Sequence, residues 1–168
     1  NTIYRFLDST RPATVRMFDV NLRQDFYDQS IIRKSLELSN VLKLNEDELT
    51  IVCNLLTVGS DEDAAESRAA KLLKKYDLKL IVYTRGEKGT TLITADDCLS
   101  DAPISYPAAG NADAVGAGDA CTAAVLVGRV LRLPLDKTLK LANHAGAFVA
   151  SQPGATPTMS DDVLGMLK

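Results

Sequence analysis

Three short runs of apolar and β-branched residues, each followed by a stretch with helical spacing, constrain this chain most. Residues 14–20 (TVRMFDV), 41–44 (VLKL) and 80–84 (LIVYT) read as buried strands. Between them, residues 30–39 carry Ile31, Ile32, Leu36 and Leu38 as the apolar set of a helix. A second helix runs from Glu46 through Leu49, Val52, Cys53 and Leu56. A third, at about 62–76, sets Ala65, Ala69, Leu72, Leu73 and Tyr76 on one face, with Ser60 or Asp61 expected as its cap. Parallel strands need a crossover connection, so this alternation predicts an α/β fold with a mostly parallel sheet.

The flanking segments complete the reading. Residues 2–9 look like a short helix end, broken at Arg11-Pro12, and residues 21–25 like a polar turn. Residues 89–94 and 98–104 read as two strands across an Asp96-Asp97 turn, an antiparallel hairpin at one side of the sheet. Helices are predicted over 118–131 and 135–150, the second starting at Pro134 and ending at Pro153-Gly154. Ser160 is expected to cap a last short helix over 160–168.

Composition excludes several classes of function. At 46% hydrophobic and 24% charged residues, the 168-residue chain has the makings of one folded core. A net charge of -3 with scattered basic residues argues against a nucleic-acid partner. No run approaches the ~20 apolar residues of a membrane span, and the start lacks a signal-peptide layout. The chain does not begin with Met and is expected to begin inside a longer protein. Cys53, Cys98 and Cys121 have no CxxC spacing, and His144 is the sole histidine, which argues against the usual zinc sites. Reduced thiols and a cytoplasmic location are expected. His144 sits in an apolar helical pattern and reads as a core or helix-surface residue.

Four segments carry candidate chemistry. In 111–120 (NADAVGAGDA), Gly116, Ala117 and Gly118 precede a helix rich in small residues. Glycines let backbone N–H groups turn toward an anion, and the helix N-terminus adds partial positive charge. Asp119 at that mouth could take a proton from an attacking hydroxyl; the same residues also read as a tight turn with Asp119 as N-cap. Neither a dinucleotide GxGxxG nor a Walker A loop is present. Thr84, Gly86 and Gly89 follow a buried strand and read as a ligand-facing loop or a plain hairpin turn. Asn45 and Glu48 could hold the water shell of Mg²⁺, or simply cap an acidic helix start. Asp19, Asn21 and Arg23 offer polar groups for a phosphate or sugar hydroxyl, or form a solvated loop. All four are expected after strands, gathered on one sheet edge.

Their order along the chain resembles the ribokinase, or PfkB-type, carbohydrate kinases, with a fructokinase-like cast. The family signature D-T-x-G-A-G-D stands here as Asp113-Ala114-Val115-Gly116-Ala117-Gly118-Asp119, N-x-x-E as Asn45 and Glu48, T-x-G-x-x-G as Thr84, Gly86 and Gly89, and D-x-N-x-R as Asp19, Asn21 and Arg23. The resemblance runs from about residue 14 to 157 and implies a Rossmann-like three-layer α/β/α ribokinase fold. It implies ATP-dependent phosphorylation of a sugar hydroxyl, with Asp119 as base and the amides of Gly116, Ala117 and Gly118 as an anion hole. Asn45 and Glu48 would organise Mg²⁺ through water. Thr84, Gly86 and Gly89 would lie by the ATP phosphates, Asn143 near the adenine, and Gly154 in a loop framing the nucleotide. Asn21 and Arg23 would face the substrate. Asp113, with the carbonyls of Val115 and Gly154, would neighbour a monovalent cation such as K⁺.

This sequence departs from the family at Ala114 for Thr, Cys121 for a frequent Phe and Tyr27 for a frequent Trp. Relatives run to roughly twice this length, so residues 1–168 correspond to a single C-terminal nucleotide-binding and catalytic portion of a partial domain. The sugar-binding half and its lid are not in this sequence; a homo-oligomer or that other half is the expected partner. A nucleoside or other small-alcohol kinase, and a non-catalytic nucleotide-binding relative, remain alternatives.

Overall fold

The computed structural model describes residues 2–24, 26–60, 62–102 and 104–167. In chain order the elements are α1 (Thr2–Asp8), β1 (Met17–Asp19), α2 (Gln29–Leu38), β2 (Val41–Asn45), α3 (Glu46–Leu56), α4 (Ala65–Lys75), β3 (Leu80–Thr84), a 3₁₀ turn (Gly86–Lys88), β4 (Thr90–Ile93), β5 (Cys98–Asp101), α5 (Ala117–Val130), α6 (Leu135–Ala150) and α7 (Asp161–Gly165). The strands lie in one sheet in the order β1-β2-β3-β4-β5. The α/β alternation read from sequence is therefore the architecture. Two compact units divide the chain: Asn1–Tyr83 with Ile93–Cys98, and Thr84–Leu92 with Leu99–Lys168.

In the first unit β1 and β2 pair in parallel, Met17 beside Val41, Phe18 beside Leu42 and Asp19 beside Lys43. Residues 41–44 are all buried, as expected for a parallel strand covered on both faces. Leu42, Leu44 and Ile81 pack with Ile32, Leu36, Leu49, Val52 and Leu72 in one core. Each such side chain contributes about 1.5–3 kcal/mol by leaving water. Ile31, expected in the apolar set of α2, is instead 43% exposed, because Ile32 and Leu36 already form the inward stripe at i,i+4 spacing.

Local hydrogen bonds set the ends of these elements. β1 covers only 17–19 of the expected 14–20. Ahead of it the side chain of Asn40 stands in for a strand, accepting from Arg16 N–H at 2.9 Å and donating to Thr14 O at 2.8 Å. α2 starts where the Asp28 carboxylate accepts Ile31 N–H. α4 starts at Ala65, later than the expected 62, and its cap position, Ala64, has no side-chain cap bond. Ser60 does not cap it; the Ser60 N–H donates to the Asp63 carboxylate instead. Asp61, the other expected cap, and Asp25 of the expected polar turn lie outside the described residues.

In the second unit α5 and α6 pack antiparallel. Gly128 meets Thr138 near their connection, and Gly146 meets Ala117 and Cys121 at the opposite end. Thr91 Oγ1 donates to Ser100 Oγ at 3.1 Å across the β4–β5 hairpin. β5 ends at Asp101 rather than 104. There the carboxylate of Asp101 accepts Ala102 N–H and its carbonyl accepts from Asn143, so the ladder loses its next partners. Ser160 caps α7 as expected, accepting Val163 N–H. Among the described residues no helix is long and apolar enough to cross a membrane.

Candidate active site

The second unit holds a cleft of about 680 Å³, bounded by the β3–β4 turn, the start of α5, and one face of α6. Thr84, Gly86 and Gly89 line it, as do Ala114, Ala117, Gly118 and Asn143. Two of the four expected site segments, 84–89 and 111–120, thus share one concavity with Asn143. The segment around Gly116 was expected after a strand; it instead closes the irregular stretch 104–116. Gly86 and Gly89 take φ of +54° and +82°, which only glycine adopts cheaply, and this lets the chain turn sharply after β3.

α5 opens with Gly116 in the cap position at φ +83°, with no side-chain cap bond. Asp119 is therefore not the N-cap; it is the third residue of the helix. Its exposed side chain has no hydrogen-bond partner among the described residues. The first-turn N–H groups of a helix lack intrahelical acceptors and, with the helix dipole, attract an anion. Gly116 is pressed against the later loop: a Cβ there would stand 2.4 Å from Ala155 O. Asp113 ties the same two segments. Its carboxylate accepts Val115 N–H at 2.9 Å and Gly154 N–H at 3.1 Å, and its own N–H donates to Gln152 O. Asp113 thus meets the N–H groups of Val115 and Gly154, the two residues named with it as neighbours of a monovalent cation.

The far wall was not legible as a site. Tyr106 lines the cleft, with its hydroxyl 2.9 Å from His144 Nδ1 and its ring edge-on to Phe148. Burial, and after it the charge of Asp162, raises the Tyr106 pKa, so the hydroxyl stays protonated. His144, read as a core or surface residue, is half-buried and holds this wall. Cys121, 5% exposed, also lines the cleft, with Sγ 3.9 Å from Thr90 Oγ1.

In the first unit Asn45 and Glu48 form a reciprocal capping box. Glu48 is buried, and its second oxygen accepts Leu22 N–H at 3.3 Å, which joins the α3 start to the segment holding Asn21 and Arg23. Asn21 and Arg23 are exposed, Asn21 at φ +38°. Lys43, which the sequence reading passed over, is 8% exposed and salt-bridged to Asp19 at 3.0 Å. A lysine inside the run VLKL was the available signal. Among the described residues no cluster of three or more His, Cys, Asp or Glu could hold a metal directly. Mg²⁺ bound mainly through waters and substrate phosphates does not require one.

Residues 1–162 match the pfkB family carbohydrate kinase. The chain belongs to that family. A fructokinase of Salmonella thompson is 29% identical over 167 residues, covering 92% of this chain and 71% of its own. An E. coli ribokinase II in complex with ATP and Mg²⁺ superposes with TM-score 0.71 at 24% identity, over 91% of this chain and 48% of its own. A Burkholderia thailandensis nucleoside kinase in complex with inosine gives 0.64 at 25%, over 83% and 42%. This pfkB-family chain thus spans less than half the length of those two solved chains.

Proposed function

We propose that residues 1–168 are the nucleotide-binding and catalytic portion of a kinase that moves the γ-phosphoryl group of ATP to a sugar hydroxyl. In this reading Asp119 accepts the hydroxyl proton, the sugar oxygen bonds to the γ-phosphorus, and the bond to the departing ADP breaks. The amides of Gly116, Ala117 and Gly118 stabilise the charge spread over the transferring group. One observation carries this reading: an exposed, unpaired Asp119 in the first turn of a helix whose glycine-capped N-terminus lines the cleft.

Mg²⁺, when bound to ATP, neutralises phosphate charge. Asn45 and Glu48 are the residues we assign to its water shell. Asp113, Val115 and Gly154 are the candidates for a monovalent-cation site. We assign the protein to a reducing, cytoplasmic setting.

The test is ATP consumption by the purified protein over fructose, ribose, 2-keto-3-deoxygluconate and a nucleoside. Turnover with a sugar that falls by orders of magnitude in Asp119→Asn, with Mg·ATP binding retained, supports the reading. Equal turnover in Asp119→Asn sinks the base assignment. Mg·ATP binding without turnover leaves a non-catalytic nucleotide binder.

A further inference from the structure

An arginine stands inside the turn that follows β3, and its head is turned away from the cleft. Arg85 lies between Thr84 and Gly86, which both line the cleft, yet it does not line the cleft itself. Its Nη2 donates to Ser100 Oγ at 2.7 Å and to Thr91 Oγ1 at 3.1 Å. A guanidinium Nη carries two hydrogens, one for each hydroxyl. Thr91 Oγ1 in turn donates to Ser100 Oγ, so the three side chains close a triangle over β4 and β5. Successive side chains of a strand face opposite ways. Thr90 lines the cleft, and Thr91 meets Arg85 on the other face of β4.

The turn itself carries two donors that need aiming. Arg85 N–H donates to Gly89 O at 2.9 Å, Lys88 N–H to Arg85 O at 3.0 Å and Gly89 N–H to Gly86 O at 3.0 Å. These bonds set the internal shape of the turn. The N–H groups of Gly86 and Glu87 take no part in them and have no acceptor among the described residues. Both residues line the cleft, and a Cβ on Gly86 would meet nothing within 4 Å, so a ligand can approach that backbone. Successive free N–H groups in a turn attract an anion. A misplacement of about 1 Å takes such donors out of hydrogen-bond reach. The guanidinium, bonded to both strands of the hairpin, fixes the tilt that the turn's own bonds leave open.

We propose that Arg85 is a positioning residue: clamped to Thr91 and Ser100 on the strand face opposite the cleft, it aims the Gly86 and Glu87 amides at the phosphates of a bound nucleotide. This inference rests on the nucleotide reading of the cleft. Arg85 acts through the turn and not as a phosphate ligand, since swinging into the cleft would forfeit both hydroxyl bonds. A planar fork that bridges two hydroxyls is a task for arginine, which is rigid where lysine is flexible.

Calorimetric titration with Mg·ATP tests this. Arg85→Ala should weaken binding by about tenfold or more. The double variant Thr91→Val with Ser100→Ala keeps the arginine's charge and should weaken binding by a similar factor, whereas Thr91→Ser, which keeps the hydroxyl, should stay within about twofold of the unmodified protein. Adenosine, which lacks phosphates, should bind Arg85→Ala and the unmodified protein alike. Should the buried Thr91→Val change prevent folding, Ser100→Ala alone, at an exposed residue, should still weaken Mg·ATP by about threefold. Unchanged Mg·ATP affinity in Arg85→Ala overturns the inference. So does full affinity in the hydroxyl variants, which would leave only the charge of Arg85 at work, and so does equal weakening of adenosine and Mg·ATP, which marks a general loss of structure. Failure of the unmodified protein to bind Mg·ATP instead overturns the nucleotide reading, and the inference with it.

Discussion

The carboxylate of Asp113 holds the backbone N–H of Gly154 at 3.1 Å across 41 residues of sequence, while its other oxygen holds Val115 N–H. One side chain thereby fixes the loop before α5 to the loop after α6. Asp113→Ala should lower kcat by about 10- to 100-fold through misplacement of the 116–118 amides, with a much smaller change in KM for Mg·ATP. Asp113→Asn, which keeps one acceptor, should fall between. Steady-state kinetics at saturating and limiting ATP separates the two effects, and a loss confined to KM would argue against positioning.

Gly116 and Gly154 make a matched pair for mutation. Both have positive φ, +83° and +76°, but a Cβ on Gly116 would meet Ala155 backbone at 2.4 Å whereas Gly154 has open space. Gly116→Ala should cost about 2–4 kcal/mol, strain plus overpacking. Gly154→Ala should cost only about 1 kcal/mol. Chemical denaturation of both variants gives the comparison.

Lys43 and Asp19 face each other in register on adjacent parallel strands. Lys43→Ala removes a nearly buried ion partner and should cost about 1–3 kcal/mol, held below the fully buried range because Asp19 keeps some solvent. The double variant with Asp19→Asn should cost less than the sum of the two singles. A double-mutant cycle measures that coupling.

Asp28 supplies the acid-sensitive part of α2. Its pKa is lowered from 3.8, first by the Ser30 hydroxyl and then by Ile31 N–H. A depressed folded-state pKa adds stability above the unfolded value, and this is lost as pH falls through the folded one. The stability difference between the native protein and Asp28→Ala should therefore be constant near neutral pH and shrink below about pH 4. Thermal melts from pH 7 to pH 2.5 follow it; a difference that persists at the acid end counts against the cap.

Much of this was readable from local pattern. The runs at 41–44 and 80–84 announced buried strands, and Asn45 with Glu48 announced a helix start, because each depends on residues within a few positions. What escaped depends on partners far along the chain. Nothing near Asp101 shows that Asn143, 42 residues on, takes its carbonyl and helps to end β5. Nothing near Tyr106 shows that His144 and Phe148 will brace it. The overlong strand at 98–104 and the misplaced Ile31 have the same origin: β-propensity and apolarity are local, while pairing and burial are not.

The α5–α6 hairpin works as a ruler. Its helices touch at Gly128 and Thr138 by the turn and at Gly146 and Ala117 by the cleft, so the length between those two points is set at both ends. One residue inserted within either helix would turn everything beyond it by about 100° and shift it by about 1.5 Å, taking Gly146 off Ala117. The same residue inserted in the turn at 131–134 would disturb neither contact. Descendants of this chain are thus free to lengthen that turn, while the residue count of the helices is held by a fit made one helix length away.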